Sequence, residues 1–144
     1  LIVITGSRAW DDREAIEAVM RGADGLLVGD VVDERSRHEQ ATKGPVPSLS
    51  TTARQVAREW DIVPFVVLED RKRLGSSAKA VQSREIARAA ENGRDHDGFE
   101  VQCHAFVLGD DDGAKDAIRA LQSAGFKVTV HEQETLMTVQ QRLF

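Results

Sequence analysis

Cysteine is almost absent from the sequence, with Cys103 the single example in 144 residues. One thiol excludes an intrachain disulfide and any all-cysteine metal site within these residues, and it fits a reducing compartment. Long apolar runs are missing too. No stretch approaches the roughly 20 apolar residues that cross a bilayer, and the apolar start at Leu1 lacks the basic flank of a signal peptide. A soluble, cytoplasmic protein with no membrane partner is the expectation. Positive charge is also in deficit, with 19 basic against 24 acidic residues and a formal net charge of -5. That balance gives the chain no global footprint for non-specific nucleic-acid binding, so nucleic acid is not an expected partner. The densest basic clusters, Arg71, Lys72 and Arg73, then Lys79, Arg84 and Arg88, are explained by solvated helix faces.

What is present is alternation. Short β-branched runs are separated by longer segments of helical periodicity, the pattern of a parallel sheet covered by helices. Leu1 to Thr5 reads as a buried strand, Asp11 or Asp12 caps a helix with Ile16, Val19 and Met20 on one face, and Leu26 to Val28 is a second strand. Residues 30 to 47, DVVDERSRHEQATKGPVP, are polar, hold two prolines and lack periodicity, and are expected to form a long loop or insertion. Ser48 or Ser50 caps a helix to about Trp60, with Ala53, Val56, Ala57 and Trp60 facing the sheet. Ile62 to Leu68 is the third strand, with Pro64 near its entrance.

A helix from about Ser77 to Asn92 would bury Ala80, Val81, Ile86 and Ala90, and residues 91 to 98, ENGRDHDG, read as a polar turn. Val101 to Leu108 is the fourth strand. Asp111 or Asp112 caps a helix holding Ala117, Ile118, Leu121 and Ala124, Phe126 to Val130 is the fifth strand, and the tail from Thr135 has helical spacing of Leu136, Val139 and Leu143. The whole predicts one α/β domain over residues 1 to 144, a three-layer Rossmann-like fold with about five parallel strands flanked by helices.

In such sheets ligands sit beyond the carboxyl ends of the strands. The first exit, Thr5-Gly6-Ser7-Arg8, combines a permissive glycine, a hydroxyl and a planar cation before a helix, which suits an anionic group. The same residues are compatible with a plain strand-to-helix turn and a surface ion pair. Gly29 ends the second strand. The fourth exit, LGDDDGAKDA, has Gly109 and Gly113, but Asp110, Asp111 and Asp112 put negative charge where a phosphate would sit. His38, His96, His104 and His131 share no metal-ligand spacing, so no metal and no cofactor is expected. Cys103 reads as core. Trp10 suits either stacking on a base or packing over the first turn.

The string ITGSRAWDD, with Thr5, Gly6, Ser7, Arg8 and Trp10, resembles the opening of the DUF2493 family, the YspA-type members of the SLOG superfamily related to lysine decarboxylase-like and LOG proteins. Later motifs of that family are altered here. Its glycine-rich second exit is replaced by GDVVDERSRHEQATKGPVP, Gln82 and Ser83 stand where arginine and asparagine are usual, and Gly113, Ala114, Lys115 and Asp116 replace a glycine-threonine step. The resemblance implies a SLOG-type fold holding a nucleotide or nucleotide-derived small molecule, with Thr5, Gly6, Ser7, Arg8, Trp10, Gly29, Gly109 and Gly113 around it, and a homo-oligomer. It also implies, if the chain is an enzyme, cleavage of a nucleotide N-glycosidic bond, with Asp116 or Glu85 as carboxylate and Arg84 on the phosphate. A third role, a protein-interaction scaffold on a decayed SLOG fold, is motivated by the altered glycine motif.

Overall fold

Five short segments pair edge to edge, and the four stretches of chain between them are long enough to return to the same end of the sheet. The computed structural model describes residues 1–31 and 34–133. The strands are β1 (Ile2–Gly6), β2 (Gly25–Val31), β3 (Val63–Glu69), β4 (Gln102–Leu108) and β5 (Val128–Gln133). All pairings are parallel, and the order is β3-β2-β1-β4-β5. The crossovers carry α1 (Arg13–Met20), α2 (Arg37–Lys43), α3 (Leu49–Glu59), α4 (Arg71–Leu74), α5 (Ala78–Asp95) and α6 (Asp112–Ser123). This is the three-layer, Rossmann-like architecture that the alternation predicted.

The two faces of the central strands are both apolar because both are covered. Ile2, Ile4, Leu26, Val28 and Phe106 pack with Ile16 and Met20 of α1 and Ala53, Val56 and Ala57 of α3. Val3, Leu27 and Cys103 pack on the other face with Ile86, Ala87 and Ala90 of α5 and Leu121 of α6. Burial pushes the Cys103 thiol up to about 11, so it stays protonated and serves as core. Asp12 and Ser48 cap α1 and α3 through their side chains, and Asp111 caps α6.

Several elements depart from sequence expectation. The segment expected as a loop at 30 to 47 starts as the end of β2 and contains α2, which has no buried residue and is held by local caps at Ser36 and Gly44. Local capping, which has no apolar signature, made that helix. Helix α5 runs on to Asp95 through the polar turn, because Gly93 lets it pass close to Phe99 and Leu1. Ala80 lies on its exposed side, and β5 begins at Val128, after the predicted Phe126. Trp60 ends α3 and is 38% exposed, so it does not face the sheet. The tail from Thr135 lies outside the described residues.

Candidate functional site

The strand order reverses between β1 and β4, the place where an open parallel sheet leaves a crevice at its carboxyl ends. A cavity of about 200 Å³ opens there. Its walls come from the ends of β1, β2 and β3, the first turns of α3 and α6, and the start of α5. It adjoins an open groove of about 1110 Å³, with Arg8, Asp30, Val31, Glu69 and Arg71 bordering both.

The turn after β1 is the hinge of this region. Gly6 has φ 139°, and a Cβ there would lie 2.0 Å from the carbonyl oxygen of Phe106. Its glycine is thus required by the approach of β1 to β4, and the ligand is not the cause. Ser7 is 3% exposed, its N–H donates to the Phe106 carbonyl at 2.7 Å, and its hydroxyl accepts from the Leu108 N–H at 2.8 Å. The same hydroxyl hydrogen-bonds the Asp111 carboxylate. Ser7 therefore has its O–H donor committed within the protein and acts as a brace between two strand exits. Arg8 is different. Its carbonyl accepts from Leu49 N–H at 2.9 Å, while its exposed guanidinium lines the cavity and makes no ion pair among the described residues. Trp10 is 2% exposed, packs 5.1 Å from the Phe106 ring centroid and donates through Nε1 to the Asp12 carbonyl, so it is core and has no face to offer a base.

Two helix starts face the cavity. At α6, Asp111 Oδ1 accepts from the Ala114 N–H at 3.0 Å. Burial raises the Asp111 carboxyl, but the hydrogen bonds from Ser7, Ala114 and Gly113 and the charge of Lys79 outweigh it and hold the group below the ordinary carboxyl value. An internal carboxylate thus occupies the anion position that Gly113 seemed to open. Helix α3 has a neutral cap. Ser48 Oγ accepts from Thr51 N–H at 3.1 Å and lies 3.2 Å from the Ser50 hydroxyl, which leaves the positive end of the helix uncompensated beside Arg8.

Helix α5 forms the third wall. Gln82 Nε2 donates to the carbonyls of Asp30 at 2.8 Å and Val67 at 2.9 Å, tying the ends of β2 and β3 together. Gly29 lies beneath it, where a Cβ would meet that amide nitrogen at 2.7 Å. Thr5 and Ser83 are 8% and 6% exposed and line the cavity, and neither hydroxyl has a hydrogen-bond partner among the described residues. Among the described residues no fully enclosed side-chain oxygen lacks a partner, so neither hydroxyl is sealed inside the core. Gln82 and Ser83 are therefore both in the wall. Arg84 and Glu85 sit on the exposed side of α5, Asp116 pairs with Arg119 at 2.8 Å on the surface, and none of the three lines the cavity or the groove. Gly109, with φ 56°, only ends β4.

Two features escaped sequence reasoning. Glu69, the last residue of β3, is 7% exposed and borders the cavity, with Arg71 at 3.2 and 3.4 Å from its carboxylate oxygens. Register alone brings it there, since Val31 pairs with Glu69. His104 and His131 meet across β4 and β5, with Nδ1 and Nε2 3.1 Å apart, and His131 stacks on Phe106. Burial and then the neighbouring His131 lower the His104 pKa, so the pair resists double protonation. No group of three or more metal-ligating side chains occurs among the described residues.

The sheet order and the crevice define an open, all-parallel α/β protein with a ligand-sized site at its topological switch point. No family model, curated protein or solved structure matches the chain. Among the described residues, no helix is long and apolar enough to cross a membrane.

Proposed function

We propose that the crevice binds a nucleotide or nucleotide-derived small molecule, with an anionic group against Arg8 and the start of α3. The observation that carries this is an unpaired guanidinium beside a neutrally capped helix end, with the buried hydroxyls of Thr5 and Ser83 open to the same cavity. Arginine and helix N–H groups recognise phosphate by charge and by directed donors together. The bordering acids do not cancel this. Asp30 pairs with Arg54 at 2.6 Å, Glu69 with Arg71, and Asp111 with its own helix. The ITGSRAW resemblance to SLOG proteins supports the same ligand class, and the chain is read as a divergent relative of them. Catalysis has no support from Arg84, Glu85 and Asp116, which lie away from the cavity. Self-association belongs to the same proposal, with Val63 and Phe65, 55% and 49% exposed on the edge strand β3, as its apolar contact.

A thermal-shift screen against nucleoside monophosphates, cyclic nucleotides and NAD-derived compounds tests this, repeated with Arg8→Ala. A ligand at ~100 times its dissociation constant adds about 2.7 kcal/mol of stability. The expected result is a shift with at least one nucleotide that is lost in the variant. No shift with any of them, in folded protein, overturns the proposal.

A further inference from the structure

We infer that Glu69 is the acceptor for the sugar hydroxyls of the ligand and makes the site selective for ribose over deoxyribose phosphates. This rests on the nucleotide reading above and adds to it the residue that chooses the sugar. Glu69 closes β3 at the border shared by the cavity and the groove, a border it shares with Arg8, Asp30, Val31 and Arg71. The carboxylate is nine-tenths buried, yet its one partner among the described residues is Arg71, whose side chain is 56% exposed and whose contacts are 3.2 and 3.4 Å long. An ionised carboxylate accepts about four hydrogen bonds, and this one uses two. Burying a charge with acceptor sites unfilled is unfavourable unless another donor arrives.

The other polar groups of the wall are differently disposed. Gln82 directs its amide N–H groups to backbone carbonyls, and its Oε1 lies 3.4 Å from Lys79 Nζ. Thr5 and Ser83 are hydroxyls that both donate and accept, so they suit phosphate and sugar alike. Asp30 is held by Arg54, and Asp111 by Ser7 and the start of α6. Asp30 likewise fills two acceptor positions, from Arg54 and from the Val31 N–H, but Glu69 is the more deeply buried of the two acids, its side chain 8% exposed against 18%. A vicinal diol supplies two adjacent donors to a carboxylate, and loss of one hydroxyl leaves part of that bond set unmade.

The test is titration calorimetry of the purified protein with ribose 5-phosphate and 2-deoxyribose 5-phosphate, repeated with Glu69→Gln and Arg8→Ala. The expected wild-type result is at least ~tenfold weaker binding of the deoxy sugar, the range for one hydrogen bond to a charged group. Glu69→Gln should weaken the ribose compound more than the deoxy compound and so narrow the gap between them, while Arg8→Ala weakens both alike. Equal wild-type affinities overturn this inference and leave the nucleotide reading standing, as does a preference that survives undiminished in Glu69→Gln. Failure of both sugar phosphates to bind folded wild-type protein overturns the inference, and the nucleotide reading falls with it only where the nucleotide panel fails as well. Where Glu69→Gln is poorly folded, Glu69→Asp, which draws the carboxylate back, takes its place and should narrow the preference; an unchanged preference there overturns the inference.

Discussion

Helices α3 and α6 both begin at the crevice, and both are tied to the turn after β1, but they are capped in opposite ways. Arg8 gives its carbonyl to the first N–H of α3, and Ser7 gives its hydroxyl to the Asp111 carboxylate that caps α6. One helix end meets a neutral serine and keeps its positive field, while the other has its field filled from within. A glycine-rich strand exit is therefore a poor guide to an anion site unless the charge of the capping residue is read with it. PSLSTT leads into the neutrally capped end, and GDDDGA, whose aspartates already spoke against a phosphate in the sequence, leads into the charged one.

The largest expected effect breaks both ends at once. Gly6→Ala places a Cβ 2.0 Å from the Phe106 carbonyl oxygen at a φ of 139° and should destabilise the fold by at least ~3 kcal/mol, measured by urea unfolding. A loss below ~1 kcal/mol would show that the β1 turn is not the rigid link described. Asp111→Asn empties the charge from α6 and should reduce stability at pH 7 by about 0.5–1 kcal/mol. Because the folded carboxyl titrates below its unfolded value, its stabilisation is complete above an unfolded pKa of ~3.9 and is lost as pH falls through the folded value. The gap between wild type and variant should thus shrink between pH 5 and the acid limit, and phosphate should bind the variant more tightly. The smallest effect is the converse exchange. Ser48→Asp gives α3 the charged cap of α6 and should weaken phosphate binding by about threefold, ~0.6 kcal/mol, with the fold intact. Unchanged phosphate affinity in that variant would mean that the α3 end is not the anion site.

The fold was legible because its signals are periodic. β-branched runs such as Ile2–Ile4 and Leu26–Val28, and the α3 spacing of Ala53, Val56 and Ala57, encode burial on known faces. Capping was legible as well, at Asp12, Ser48 and Asp111. The site was legible only where neighbours in sequence are neighbours in space, as at Thr5 to Arg8. Glu69 reaches the cavity through strand register, Gln82 through a contact 52 residues away with Asp30, and the His104–His131 pair through adjacent strands. None of these has a local signal. Trp10 was open to two roles for a related reason. An aromatic after a polar turn looks available for stacking, and only the neighbouring Phe106 shows that its faces are taken.

The amide of Gln82 has an evolutionary consequence. It is fixed by two carbonyls, and the Cβ of any larger residue at position 29 would collide with it. Positions 29 and 82 are thus mutually conditional. A side chain at 29 requires the one at 82 to shorten or swing aside. Either change passes through variants whose two strand ends are untied.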